Sequence, residues 1–262
     1  MKKIKRLIYY FFKLGIFNFF HFLVHKIFKI KSNKYNIYKF LIKNKNGIEI
    51  GGPTNLFKKN GFLPIYNDLN NLDGVNYSSK TLWSNLDQGK NYKFSKLKEN
   101  GNQFICDAID LNIIKSSSYD FLISCNNLEH IANPIKALVE WLRIIKRGGI
   151  LILILPNNLI NFDHKRKVTD FNHLINDYNN DIEENDMTHL DEVLKLHDLK
   201  LDPELKNFEE FKKRCKNNFE NRAMHHHVYD LKLLSQILEF LKLEILLMHS
   251  TFTDHYIVGK KN

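Results

Sequence analysis

Asn46-Gly47-Ile48-Glu49-Ile50-Gly51-Gly52-Pro53-Thr54 is the stretch on which the reading of this chain turns. A short apolar run carrying one acid ends in paired glycines, the pattern of a buried strand that bends sharply over a ligand. Glycine serves there because it takes positive φ and lets the backbone approach a bound group closely. Pro53 directly after the pair makes the expected turn a tight one.

Working outward, residues 119–125 form a second apolar run, entered behind Asp120 and ending in the polar series Asn126-Asn127-Leu128-Glu129-His130. Asn133-Pro134 supplies a helix cap and first helical position, Leu138, Leu142 and Ile145 recur at helical spacing, and Gly148 closes that helix. Residues 150–155 follow as an unbroken apolar run stopped by Pro156, as a parallel strand buried on both faces requires. Residues 103–108 read as a further strand with its exit, residues 56–60 as a short helix, and residues 62–66 as a strand whose Pro64 implies an irregular start. At the far end, residues 231–241 read as a helix, and residues 243–248 and 256–259 as strands of a terminal antiparallel hairpin. No G-x-G-x-x-G is present, which excludes the usual dinucleotide fingerprint.

This series resembles the class I S-adenosylmethionine-dependent methyltransferases. The resemblance implies an α/β, Rossmann-like fold with a seven-stranded, mostly parallel sheet and a terminal antiparallel hairpin. It also implies S-adenosyl-L-methionine as cofactor. Glu49 would approach the methionine amino group, with the backbone at Gly51 and Gly52 beneath the cofactor. Asp107 would accept from the adenine amino group with Ala108 beside the ring, and Asn126 would complete the cofactor contacts. For the ribose, an acid just past the second strand is required, and Asp68 and Asp73 are both placed for it. Asp73 is preferred, because Asp73-Gly74-Val75-Asn76-Tyr77 followed by Thr81-Leu82-Trp83 resembles a block found in a subset of these enzymes. Plain turn formation is the competing role for either aspartate.

Four regions follow: an N-terminal extension (1–45), a cofactor-binding core (46–156), an insertion (157–230) and the last helix and strands of the core (231–262). The net charge of +10 is uneven. Residues 1–45 hold twelve Lys or Arg and no acid, leaving 27 basic against 29 acidic groups in the remainder. The body is therefore not a nucleic-acid-binding surface. The extension is rich in Phe, Tyr and Leu, yet its longest stretch free of Lys and Arg, 14–25, is shorter than the roughly 20 apolar residues that span a bilayer. Two readings stay open for it: helices packed on the core or on a second copy of the chain, or a basic aromatic segment resting on an anionic membrane face. Cys106, Cys125 and Cys215 are widely spaced with no CxxC, which fits a reducing cytoplasm and argues against a disulfide framework or zinc knuckle.

The insertion is longer than the minimal fold needs, with helical pieces around 171–178, 190–197 and 208–219. Insertions at the carboxyl edge of parallel strands supply substrate contacts, so it reads as a lid. Seven of the twelve histidines fall in it: His164, His173, His189, His197, His225, His226 and His227. Methyl transfer needs an aligned acceptor and, for a hydroxyl, a base to take its proton. His164 with Asp163, His189 with Glu184 or Asp186, and His226 are the candidates; most of the others read as hydrogen-bonding partners within a polar lid. A divalent cation that lowers the hydroxyl's pKa is the alternative; the insertion offers no HxxxH pair, and no metal ligands are assigned.

The Asp163-His164-Lys165-Arg166 run, the Asp186-x-Thr188-His189 block, Leu196-His197-Asp198 and Phe219-Glu220-Asn221-Arg222 leading into His225-His226-His227-Val228-Tyr229-Asp230 resemble, in this order, a bacterial methyltransferase-domain family. Its members often accompany glycosyltransferases in surface-polysaccharide clusters. The implied function is O-methylation of a sugar or sugar-linked group in capsule or lipopolysaccharide synthesis, in the cytoplasm or at the inner membrane face. A phosphorylated precursor held by Lys165, Arg166 and Arg222 is a second substrate reading. A non-catalytic scaffold for glycosyltransferases is the reading from another class.

Overall fold

The structure, a computed structural model, describes residues 2–28, 30–81, 89–95, 101–202 and 204–262. In chain order the elements begin with α1 (Lys2–Phe28, kinked at Gly15), α2 (Tyr35–Ile42), β1 (Asn46–Ile50) and β2 (Asn71–Asn76). They continue with β3 (Gly89–Tyr92), β4 (Gly101–Ile105), β5 (Tyr119–Cys125), α3 (Pro134–Ile144) and β6 (Ile145–Pro156). The insertion contributes α4 (Phe171–Asn179), α5 (Leu190–Leu196), α6 (Phe208–Lys216) and α7 (Asn218–Asn221), and the chain ends with α8 (Leu231–Phe240), β7 (Leu243–Ser250) and β8 (Asp254–Lys261).

The strands form one sheet in the order β3-β4-β2-β1-β5-β6-β8-β7. β4, β2, β1, β5 and β6 run parallel; β8 is antiparallel to both β6 and β7. These are the seven strands expected of the class I fold. Beyond them, β3 adds an antiparallel edge strand on β4.

Alternation along β5 and β6 divides the core in two. Leu122, Leu151, Leu153 and Leu155 face α3 and α8, through Leu138 and Trp141 of the first and Leu234 and Ile237 of the second. Phe121, Ile123, Ile152 and Ile154 face the other way, where Tyr38 and Ile42 of α2 cover them. Both faces are sealed, which is why these strands are apolar at successive positions.

The second parallel strand is not at residues 62–66. That segment is irregular, and Leu63, Ile65 and Tyr66 are buried beneath the sheet as plugs of the second core. Pro64 has no N–H to give to a ladder. The strand is instead Asn71–Asn76, in register Ile48↔Asp73, Glu49↔Gly74 and Ile50↔Val75 with β1. It carries a buried acid mid-strand, Asp73, tolerated because the Tyr119 hydroxyl (2.6 Å) and the Asn102 backbone N–H (2.7 Å) donate to it. The helix expected to close at Gly148 ends at Ile144, and Gly148 sits at φ +74° in the chain that follows. Leu82 and Trp83 of the block after Tyr77 lie outside the described residues.

The N-terminal extension is helical. Tyr10 and Leu14 of α1 pack against Ile160, and Tyr9 lies against His164 with ring centroids 5.4 Å apart. Phe12, Phe17, Phe20, Ile27 and Phe28 remain exposed. No helix among the described residues is long and apolar enough to cross a membrane.

Candidate active site

The turn after β1 behaves as its glycines dictate. Gly51 adopts φ +83°, and a Cβ there would meet the Asn127 side chain at 2.6 Å. At Gly52 an added Cβ would collide with the Tyr92 hydroxyl and the Glu49 carboxyl, at 2.1 and 2.2 Å. The Gly52–Pro53 bond is cis. Gly51 faces a cavity of about 670 Å³ over the carboxyl ends of the parallel strands, where ligands of open α/β sheets bind. That volume falls within the roughly 300–1,000 Å³ of small-molecule sites.

One wall is made by successive strand exits: Gly51 after β1, Asn76 and Tyr77 at the end of β2, Asp107 and Ala108 after β4, and Asn126 and Asn127 after β5. Gly51, Asp107, Ala108 and Asn126 thus reach the cavity as expected. Asp107 accepts from the Ile109 N–H at 3.2 Å and is paired with Arg222 at 3.0 Å. The other cofactor expectations are corrected. Glu49 is fully buried behind the turn and does not line the cavity; its carboxylate accepts from the hydroxyls of Tyr66 and Tyr92, both at 2.6 Å, and from the Thr54 N–H. Burial pushes its pKa up, with those donors opposing. It anchors the loop beneath the ligand, and Gly52 is packed against it on that hidden side.

Asp68 is engaged far from the cavity by Tyr35 (2.6 Å) and Lys39 (2.9 Å), and Asp73 is the mid-strand acid described above. Neither is at the ribose position. Because β2 ends later than expected, the polar residue at its carboxyl end that lines the cavity is Asn76, whose Nδ2 donates to the Gly52 carbonyl at 2.9 Å. The sequence did hold a signal for this, since Asn76 stands in the block that drew attention to Asp73.

The opposite wall comes from the Leu128–His130 turn and the insertion, and α1 contributes Tyr10. Here the histidine expectations need correcting. His164 turns outward to Asp198 at 3.1 Å. His189 meets His173 at 3.1 Å, and His226, fully buried, meets Asn218 at 3.1 Å. None of the three lines the cavity. The imidazole that does so from this segment is His225, and Asp163 holds it: Nδ1 of His225 lies 2.5 Å from Asp163 Oδ2. Arg166 braces the pair, reaching Asp163 Oδ1 at 3.3 Å and the carbonyls of His225 and His226 at 2.9 Å each. Residues 225–227 belong to no helix or strand, their rings take different partners, and of the three only His225 enters the cavity.

Burial opposes charge on the His225 ring, but the Asp163 carboxylate, by attraction and hydrogen bond, and Glu129 outweigh it and lift the pKa. Burial likewise works against the Asp163 carboxylate, yet His225 and Arg166 hold it at about 2. Glu129 is pushed up to about 7 by burial, with His225 opposing. Burial and the neighbouring His225 push His130 well below its ordinary value, so this ring is neutral. The donor atoms of Glu129, His130 and His225 lie within 4.8 Å of one another.

Unspent polar capacity faces the same space. Both Glu129 carboxyl oxygens and Asn127 Oδ1 are buried without a hydrogen-bond partner among the described residues. Orphaned acceptors at a cavity wall await donors from a ligand, and an α-ammonium beside a sulfonium suits them. The glycine floor, Asn76, Asp107 and these acceptors therefore fit S-adenosylmethionine.

Residues 61–153 match the model of a family described as a methyltransferase domain. No curated protein matches the chain. Among solved structures it is similar to an S-adenosylmethionine-dependent methyltransferase from Aquifex aeolicus (10% identity, 89% of this chain and 92% of the other, TM-score 0.45). It is also similar to one from Thermotoga maritima described as a possible histamine N-methyltransferase (17% identity, 92% and 93%, TM-score 0.43). A third such methyltransferase, from Methanosarcina mazei, matches at 15% identity over 86% and 96% of the chains (TM-score 0.45). The strand order is that of the class I methyltransferase fold, residues 61–153 match a methyltransferase domain, and S-adenosylmethionine is the cofactor.

Proposed function

We propose that this protein is an S-adenosylmethionine-dependent methyltransferase that acts on a hydroxyl, and that the hydroxyl belongs to a sugar or sugar-linked group of a surface polysaccharide. The observation that carries the hydroxyl reading is the Asp163–His225 pair on the wall facing the strand exits. The cofactor supplies a methyl group already activated on a sulfonium, so the chain must align the acceptor and remove one proton. Asp163 fixes Nδ1 of His225 and thereby leaves Nε2 as the ring nitrogen that takes the acceptor's proton. The buried Glu129 stabilises the imidazolium so formed, as it is already among the groups that raise that pKa.

The phosphorylated-precursor reading draws less support. Arg166 is buried and bound to Asp163 and Glu192, Arg222 is paired with Asp107 and Glu184, and Lys165 is directed at Asp198. Cations already engaged by carboxylates make a poor phosphate site. Placement at an anionic membrane face draws on the exposed Phe12, Phe17 and Phe20 of α1, a helix whose Tyr10 reaches the cavity.

The test is transfer of labelled methyl groups to nucleotide sugars and to phosphorylated sugar precursors, beside calorimetry with S-adenosylhomocysteine. Binding with transfer to the nucleotide sugars supports the reading. Binding with transfer only to the phosphorylated set replaces the acceptor, and absence of binding returns the chain to a scaffold role.

A further inference from the structure

Outside the cofactor cavity the insertion gathers a second group of side chains. His173 and Asp177 stand one turn apart on α4 and so share a face. His189 immediately precedes α5, and His227 lies in the segment before α8. Nε2 of His173 is 3.1 Å from Nε2 of His189 and 3.3 Å from Asp177 Oδ2. Nε2 of His227 is 3.7 Å from the same oxygen, and all four donor atoms lie within 4.8 Å of one another. None of the four residues lines the cavity.

Read as hydrogen bonds alone, the cluster is poorly satisfied. Asp177 Oδ2 is buried with no hydrogen-bond partner among the described residues, although the Nε2 atoms of His173 and His227 stand 3.3 and 3.7 Å from it. The His173–His189 contact is a single N–H···N hydrogen bond, one ring donating to the lone pair of the other. A metal ion would give Asp177 Oδ2 the partner it lacks. Tetrahedral zinc, with ligand bonds of about 2.0–2.1 Å, places its donor atoms about 3.3 Å apart, close to the separations seen. Three imidazoles and one carboxylate are also a donor set that suits zinc.

We infer that His173, Asp177, His189 and His227 form a structural zinc site that ties α4, the start of α5 and the segment leading into α8 together. Loading moves His227 Nε2 off the Ala132 carbonyl, from which it now lies 3.1 Å away, and exchanges that contact and the His173–His189 hydrogen bond for four coordinate bonds. The site is independent of the methyl-transfer reading and would stand if that reading fell.

The test uses the full chain freed of any polyhistidine tag, stripped with a chelator and dialysed against zinc. A single retained equivalent by mass spectrometry is expected, with an intense tetrahedral visible spectrum when cobalt replaces zinc. His173→Ala and His189→Ala should each lose the equivalent, and added zinc should raise the melting temperature of the wild type but not of these variants. Glu129→Gln and His225→Ala, at the other cluster, should keep it. No retained zinc in the wild type overturns the inference. So does retention by both lid variants, or loss in Glu129→Gln or His225→Ala. Should a lid variant fail to fold, the wild-type stoichiometry and cobalt spectrum decide alone: one equivalent in a tetrahedral field supports the site, and anything else refutes it.

Discussion

Asp163→Asn probes the proposed base most directly, because the substitution keeps the shape of the side chain and removes its charge from a contact of 2.5 Å. The carboxyl is held at about 2, below the ordinary carboxylate range, a difference on the order of 2–3 kcal/mol of stability. Both partners are buried, so solvent does little to weaken this. A carboxyl held low stabilises the fold above its unfolded value of about 4 and loses that contribution as pH falls further. An imidazole held high stabilises below its unfolded value of about 6.5 and loses the contribution as pH rises through its folded one. The two describe a single interaction. The stability gap between wild type and D163N, from urea unfolding at a series of pH values, should therefore be widest between about pH 4 and 6.5 and narrow on either side. In parallel, methyl transfer should fall by about 10²–10⁴-fold, the usual worth of a positioned base, with affinity for S-adenosylhomocysteine unchanged. A gap that is flat with pH, or cofactor affinity that falls in step with transfer, refutes the assignment.

Asp107→Ala should weaken S-adenosylhomocysteine by about 1.5–3 kcal/mol, the range for a hydrogen bond to a charged group, with an unchanged circular dichroism spectrum; calorimetry reads it, and wild-type affinity would remove Asp107 from the adenine site. Gly51→Ala places a side chain at φ +83° against Asn127; the conformation alone costs about 1–2 kcal/mol, and the same calorimetry should show the cofactor lost before the melting temperature collapses. Phe12→Ser with Phe17→Ser should reduce sedimentation with anionic vesicles and leave transfer to a soluble acceptor intact; equal sedimentation of both proteins would detach α1 from the membrane reading.

Much of the sheet was legible because strand patterning is a local property. The run into Gly51-Gly52, the cap at Asn133-Pro134, whose side chain accepts from the Lys136 N–H at 3.0 Å, and the apolar strand β6 carry their own signals. β2 did not, since residues 62–66 look more strand-like than a segment containing Asp73 and Gly74. What made Asn71–Asn76 a strand was the donation of Tyr119 and Asn102 to that acid, from 46 and 29 residues away.

The site divides along the same line. Sequence alone determined that glycines, Asp107 and Asn126 would follow strand ends, because a backbone turn and the residue beside it are set within a few positions. It also drew attention to the insertion's histidines as a group. Which ring enters the cavity was decided only by the tertiary structure, because one irregular segment sends His225 to Asp163, His226 to Asn218 and His227 toward Asp177, partners that lie in different parts of the chain. Glu49 makes the same point: its type and spacing suggested a ligand contact, but two tyrosines distant in sequence close over the carboxylate, and the side of the sheet on which they pack decides its role.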